Sequence, residues 1–150
     1  MIKIWKIANL YLATLRSIYM VHQYSHWTCK GTNFYQHHLL FERLYKSAQD
    51  DADKTAEKFI GVLGSASVDF ATQTQFISQI LNRYDNFDGN PLKMSLMIEK
   101  EFLKFTEEAY EAFKEEGKQI FPPGVDVMMM SIASNREEAC YLLQQSLGSV

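Results

Sequence analysis

The sequence "HQYSHWTCKGTNFYQHHLLFER" (residues 22–43) contains all four histidines of the 150-residue chain and a short break between two helical patterns. Before the break, apolar side chains recur at alternating steps of four and three, the spacing of one helix face. The members of this face are Ile4, Ala8, Tyr11, Leu15, Ile18 and His22. We predict that this helix runs to about Lys30 and is closed by Gly31.

A second helical pattern begins just past Asn33 and ends at Gly64. Its inward-facing members are Phe34, His38, Phe41, Tyr45, Ala48, Ala52, Thr55, Phe59 and Val62. Two helices of this length with so short a connection should form an antiparallel hairpin.

The remainder of the chain predicts a crossover and two further long helices. We interpret residues 65–71 as a loop and residues 72–84 as a short helix. Asn90 and Pro91 follow as the cap and first residue of the third long helix, which ends near Gly117.

A fourth long helix follows "FPPG", and no stretch has the alternation of a β-strand. We therefore predict that residues 1–150 form a single all-α domain. Its architecture is a ferritin-like four-helix bundle with a short extra helix in the long crossover between the second and third long helices.

Composition and charge narrow the function classes. Apolar residues make up 47% of the chain and charged residues 22%, as in soluble globular proteins. The net charge is −3 and the basic residues are scattered, so we expect DNA binding to be weak or absent. The two cysteines form no CxxC pair, and no apolar run approaches the roughly 20 residues of a membrane span. These features predict a soluble cytoplasmic protein with no membrane partner.

Four metal-ligand candidates lie on the second helix: His38, Glu42, Asp53 and Glu57. They fall within an arc of about 100°, and each i, i+4 pair can present two donors to one ion. His26 lies on the first helix near the hairpin turn, where it can meet His38 and Glu42. Imidazole with carboxylate suits iron, manganese or zinc.

Helix length separates these candidates into two groups. From His38 to Asp53 the helix rises roughly 22 Å, at ~1.5 Å per residue, so one ion cannot bridge them within one chain. Either Asp53 and Glu57 are unrelated surface acids, or a two-fold axis brings them to His26, His38 and Glu42 of another subunit.

A stripe of Trp5, Leu12, Tyr19 and His26 flanks the inward face of the first helix. A second apolar stripe on a bundled helix predicts a subunit interface. His22 continues the inward face and is predicted to be a hydrogen-bonded core histidine rather than a ligand.

The stretch "HWTCKGTNFYQHHLLFE" (26–42) closely resembles the motif of the Dps family, the mini-ferritins. That motif runs H-W-x-x-K/R-G-x-x-F, then a histidine and, four residues later, an acid. "DADKTAEKF" (51–59) is similar to the family's downstream D-x-x-x-E stretch. The resemblance is strong over the hairpin and looser across the rest of the chain.

This resemblance implies that His26, His38 and Glu42 supply one half of an inter-subunit ferroxidase site, and Asp53 and Glu57 the other. It implies Fe(II) as the bound metal, peroxide or oxygen as the oxidant, and ferric iron stored in a hollow shell. The shell implied is a homo-oligomer, a dodecamer built from two-fold dimers.

Trp27, next to a ligand, is expected to shield the site and take up stray oxidising equivalents. Three positions depart from the family pattern. Glu42 stands where many relatives have Asp, His37 replaces a usual apolar residue, and Cys29 stands where Val or Met is common. Cys29 could act as a small hydrophobe or as an oxidisable thiol.

Two alternatives to a ferroxidase remain open. One is a nucleoid-coating shell, whose signature in the family is a Lys-rich tail, whereas this sequence is expected to enter helix almost at once. The other is a ferritin-like assembly scaffold without ferroxidase activity. A ferritin site within one bundle is disfavoured because no E-x-x-H motif is present.

Overall fold

The computed structural model describes residues 2–84, 89–116 and 122–148. Its helices are α1 (Ile2–Thr28), α2 (Phe34–Leu63), α3 (Phe70–Asn82), α4 (Pro91–Glu116) and α5 (Pro123–Leu147). A short 3-10 turn (Ser65–Val68) precedes α3, and the described ranges contain no β-strand. The all-α architecture is confirmed, with α3 in the crossover between α2 and α4.

The predicted ends of the hairpin helices are largely confirmed. The α1 helix stops at Thr28, two residues early, and Gly31 follows with a φ of 107° that a side chain would strain. Gly64 ends α2, where its N–H donates to the carbonyl of Ile60 at 3.0 Å.

The start of α3 differs from the prediction. The helix begins at Phe70 because the Asp69 carboxylate accepts a hydrogen bond from the backbone N–H of Thr72 at 2.9 Å. Asp69 is therefore the N-cap, which residue spacing alone did not identify. The α3 helix ends at Asn82, two residues before the predicted end.

The predicted start of the third long helix is confirmed. Asn90 accepts from the N–H of Leu92 at 2.9 Å, and Pro91 is the first residue of α4. The predicted end at Gly117 lies outside the described residues.

The inward face predicted for α1 is confirmed, because each of its members is at most 2% exposed. Around Tyr11 the core is aromatic, with ring centroids 5.8 Å from Phe59 and 5.1 Å from Phe102. Phe59 also packs against Phe113 at 5.7 Å. These four rings form a chain of contacts that joins α1, α2 and α4.

The flanking stripe of α1 is partly covered within the chain. Leu12 is 2% exposed, and the indole N–H of Trp5 donates to the carbonyl of Leu63. Tyr19 packs edge-on against Tyr45 of α2. Because α1 lies against α2, α3 and α4, most of its circumference is covered within the chain.

No helix in the described part of the chain is both long and apolar enough to cross a bilayer.

Candidate metal centre

His26 and His38 form a stacked imidazole pair beside the hairpin turn. Their ring centroids are 3.7 Å apart and their planes differ by 16°. Nδ1 of His26 lies 2.8 Å from the carbonyl oxygen of His38, and Nδ1 of His38 lies 2.8 Å from the carbonyl oxygen of His26. A carbonyl only accepts, so each Nδ1 must donate a proton.

This exchange of hydrogen bonds leaves the lone pair of a neutral ring on Nε2 in both His26 and His38. Donation from one ring nitrogen to a backbone carbonyl is typical of metal-binding histidine, because it fixes the tautomer and the ring orientation. The hairpin therefore leaves one nitrogen of each ring outside these two hydrogen bonds.

Aromatic side chains support the pair from both sides. Phe34 stacks on His38 with centroids 5.0 Å apart and planes 25° apart. Tyr45 meets the ring of His26 edge-on at 5.3 Å. The rings are thereby restricted in rotation, which lowers the entropy lost when a ligand binds.

Glu42 lies one helical turn beyond His38 and is half-buried. One of its carboxylate oxygens is 3.3 Å from Nζ of Lys46, in a solvent-accessible i, i+4 pair. Exposed pairs of this kind contribute little to stability, so the carboxylate is available to a cation that binds more strongly.

Asp53 and Glu57 lie farther along the same uninterrupted helix, and both are exposed. Asp53 lines a groove of about 330 Å³ with residues that include Arg16 and Gln73. Glu57 lines a separate groove of about 750 Å³ between α2 and α5, beside Gly124.

One chain thus brings His26 and His38 together, with Glu42 on the next turn. It keeps Asp53 and Glu57 apart from these three residues. Among residues 2–84, 89–116 and 122–148, no three His, Cys, Asp or Glu side chains converge on a common ion position. Within one chain, these side chains therefore do not form a complete set of metal ligands.

Trp27 lies on a different side of α1 from the imidazole pair. It is 66% exposed and lines a groove of about 650 Å³ with Tyr84, Pro91 and Met94. Within one chain it does not cover the histidines, so its role as a shield stays a prediction.

The structure favours a packing role for Cys29, which is 7% exposed. Burial raises the pKa of its thiol, so the protonated form is favoured over the reactive thiolate. His37, another of the three departures, is half-buried and lines a groove between α2 and α5 with Asn33 and Tyr141.

His22 is a hydrogen-bonded core histidine, as predicted. It is fully buried, and its Nε2 lies 2.8 Å from Oε1 of Glu99. Since a carboxylate accepts, Nε2 is the donor, and the nitrogen that His26 leaves free is the one that His22 uses.

The partners of His22 are a buried ion cluster that the sequence analysis missed. Arg136 places Nη1 3.3 Å from Glu99 and Nε 3.5 Å from Asp51. Burial raises the pKa of Asp51, and the nearby guanidinium of Arg136 partly offsets this rise. The inward apolar residues of α5 are Val125, Met129, Ile132, Ala139 and Leu143. Their steps of three or four residues are interrupted between Ile132 and Ala139, where Arg136 fills the inward position. That gap could have revealed the residue.

No sequence-family model and no curated protein sequence matches this chain. Solved structures match it over almost its whole length. The Dps of Thermosynechococcus elongatus has a TM-score of 0.79 to it, at 16% identity over 99% of this chain and 92% of that one. This chain has the Dps fold.

Two further structures with the Dps fold agree. DpsC from Streptomyces coelicolor matches with a TM-score of 0.78 and 20% identity, over 98% of this chain and 84% of that one. The Dps protein of Vibrio cholerae O1, described as one of the ferritin-like diiron-carboxylate proteins, matches with a TM-score of 0.76 and 23% identity, over 97% and 89%. These structural similarities confirm the predicted ferritin-like bundle.

Proposed function

We propose that this protein is a mini-ferritin. It binds Fe(II) at a site shared by two subunits, oxidises it with peroxide or oxygen, and keeps the ferric product inside a hollow homo-oligomeric shell, a dodecamer. The observation that carries the proposal is the stacked pair of His26 and His38, with both Nδ1 atoms committed to carbonyls and both Nε2 atoms left for a metal.

The geometry of α2 supports a two-fold arrangement of the shared site. Because α2 is one continuous helix, an antiparallel crossing of two α2 helices can place His38 opposite Glu57 of the partner subunit. The same crossing brings Glu42 to Asp53 of the partner subunit. Both pairings centre on residues 47–48 of α2, so one axis satisfies both and generates two equal sites.

The charges at such a site favour a metal cation. Three carboxylates and two neutral imidazoles meet there, and Lys46 already neutralises part of the charge of Glu42. Mixed nitrogen and oxygen ligands suit Fe(II), and the carboxylates favour the higher charge of Fe(III). With peroxide, two Fe(II) each give up one electron, the O–O bond breaks, and two protons complete two waters. The histidines orient the iron and the acids hold it as its charge rises.

Fe(II) oxidation and iron retention test this proposal. Fe(II) is added without air, peroxide or oxygen follows, and Fe(III) absorbance, iron per chain after gel filtration and native mass are measured. Wild type should oxidise Fe(II) well above the buffer rate and retain Fe(III) in an assembly of many subunits. Oxidation at the buffer rate with no retained iron would favour the scaffold alternative.

A matched pair of variants makes the test specific. Glu57→Gln removes a proposed ligand, and we expect the initial rate to fall about tenfold or more, since even outer-shell partners contribute about 10–100-fold at metal sites. Glu138→Gln changes an exposed carboxylate of α5 paired with Arg43 and should keep the rate within about twofold. Equal effects of the two substitutions would contradict the ligand assignment.

His22 and His26 lie one turn apart on α1, but their substitution should have different effects, the first on stability and the second on Fe(II) oxidation. His22→Ala removes a buried partner of Glu99 and should lower the free energy of unfolding by about 1–3 kcal/mol, with little change in oxidation rate. His26→Ala should lower Fe(II) affinity and oxidation while changing stability less. The melting temperature and the initial Fe(II) oxidation rate of both variants test this division of roles. If His22→Ala abolishes oxidation at unchanged stability, the division of roles is wrong.

A further inference from the structure

Lys46 lies on the face of α2 that carries the proposed iron ligands. At about 100° per residue, the α2 ligands from His38 to Glu57 span an arc of about 100°, and Lys46 falls inside that arc. The other lysine and arginine residues of α2 fall outside it; they are Arg43, Lys54 and Lys58. The ligand face of α2 therefore carries one basic side chain of this kind.

The ammonium group of Lys46 already pairs with one of the proposed ligands. Its Nζ lies 3.3 Å from Oε1 of Glu42. Within the described ranges, neither Asp53 nor Glu57 has an ion pair. The side chain of Lys46 is 62% exposed, so it can turn into solvent without disturbing the core. A cation held this loosely can give way to one that binds more strongly.

The metal-free site needs such a cation. In the shared site of the proposed function, on which this inference rests, Glu42 meets two carboxylates of the partner subunit. Like charges brought together across an interface oppose association. The register that pairs residue 42 with residue 53 also pairs residue 46 with residue 49. Lys46 therefore lies about one helical turn from both Glu42 and Asp53 of the partner subunit.

We propose that Lys46 is a tethered cation of the metal-free site. Its ammonium neutralises part of the charge of the converging carboxylates, so that two subunits associate before iron arrives. It turns into solvent when Fe(II) binds, because a divalent ion in direct contact with the oxygens outcompetes one ammonium on a flexible stem. Lys46 thus sets both the strength of metal-free assembly and the affinity of the site for metal.

Lys46→Met tests the proposal through metal affinity. The substitution removes the charge and keeps most of the length of the side chain. Co²⁺ is titrated into the assembled protein, and its visible absorption gives the dissociation constant. Lys46→Met should bind Co²⁺ about threefold to fivefold more tightly than wild type, because metal no longer displaces an ion pair of the strength found at exposed positions.

Assembly without metal is the second measurement. A dilution series in chelator, at a urea concentration that leaves the helices folded, is followed by native mass. The concentration at which assemblies dissociate should be about tenfold higher for Lys46→Met, because each two-fold dimer loses two ion pairs. Addition of Co²⁺ in place of chelator should remove most of this difference, since the metal neutralises the same carboxylates.

Two control variants make the result specific to the charge at this position. Lys46→Arg keeps the cation and should stay within about twofold of wild type in both measurements. Lys58→Met removes the same charge from the side of α2 that faces α5, and it should also stay within about twofold. A shift in Lys58→Met as large as that in Lys46→Met would overturn the proposal, because net charge alone would then explain the effect.

The role of Lys46 and the iron site itself can fail separately. If wild type binds Co²⁺ and Lys46→Met matches it in affinity and in metal-free assembly, Lys46 is no tethered cation, and the iron site stands. If wild type takes up no Co²⁺ at all, the shared site is wrong and the role of Lys46 falls with it.

Discussion

Chains carrying His38→Ala and chains carrying Asp53→Ala, each nearly inactive alone, should recover about a quarter of the wild-type oxidation rate when assembled together. In a mixed dimer, the intact histidine half of one chain faces the intact acid half of the other, and the second site has both halves damaged. With random pairing, about half of the dimers are mixed and each has one intact site of two. When each variant is assembled by itself, its oxidation rate should fall by at least the roughly 10–100-fold seen for outer-shell changes at metal sites.

The controls pair variants that damage the same half. His26→Ala with His38→Ala should give no recovery, because every site then lacks a histidine. Asp53→Ala with Glu57→Ala should fail for the same reason. The two chains carry different affinity tags, so that mixed assemblies are isolated before the initial rate is measured. Absence of recovery in confirmed mixed assemblies would refute a site shared by two subunits.

Most of the fold follows from local rules that the sequence obeys. The inward face of α1 continues without interruption from Ile4 to His22, and the structure buries all of it. Gly31 and Gly64 have positive φ, so the glycines themselves mark two helix ends in the sequence. The start of α3 was less certain, because a capping Asp looks the same in sequence as an exposed loop Asp.

The candidate site was accessible from the sequence only in part. Spacing grouped His38 with Glu42 and Asp53 with Glu57, and helix rise showed that one chain cannot unite them. Spacing could not show that the His26 and His38 rings stack and exchange backbone hydrogen bonds, because that depends on the register between α1 and α2.

The flanking stripe of α1 illustrates a limit of periodicity. Residue spacing on one helix assigns Leu12 and Tyr19 to a second face, but it cannot say whether that face meets another subunit or the same chain. Here Leu12 is buried within the chain but Trp5, Tyr19 and His26 are only half-buried, so the subunit interface stays a prediction. Buried charged residues such as Glu99 could not be predicted from the sequence, because charged side chains are usually exposed. Their burial is tolerated only when they pair with charges on other helices.

Glu99→Ala should be among the most destabilising single substitutions in this chain. The change removes the acceptor of His22 and one of the two carboxylates that face Arg136, both at full burial. Breaking a buried ion pair by removing one partner lowers the free energy of unfolding by about 3–5 kcal/mol. At roughly 2–4 °C per kcal/mol for a chain of this size, the melting temperature should fall by about 6–20 °C.

Glu138→Ala is the matched control for that loss. Its ion pair with Arg43 is shorter, at 2.7 Å, than the 3.3 Å contact between Glu99 and Arg136. Distance alone would therefore rank it as the stronger pair. Both of its side chains are more than half exposed, so water screens the pair and its removal should lower the free energy of unfolding by less than about 1 kcal/mol. Urea unfolding of both variants measures the difference, and equal losses would show that burial does not set the strength of the core cluster.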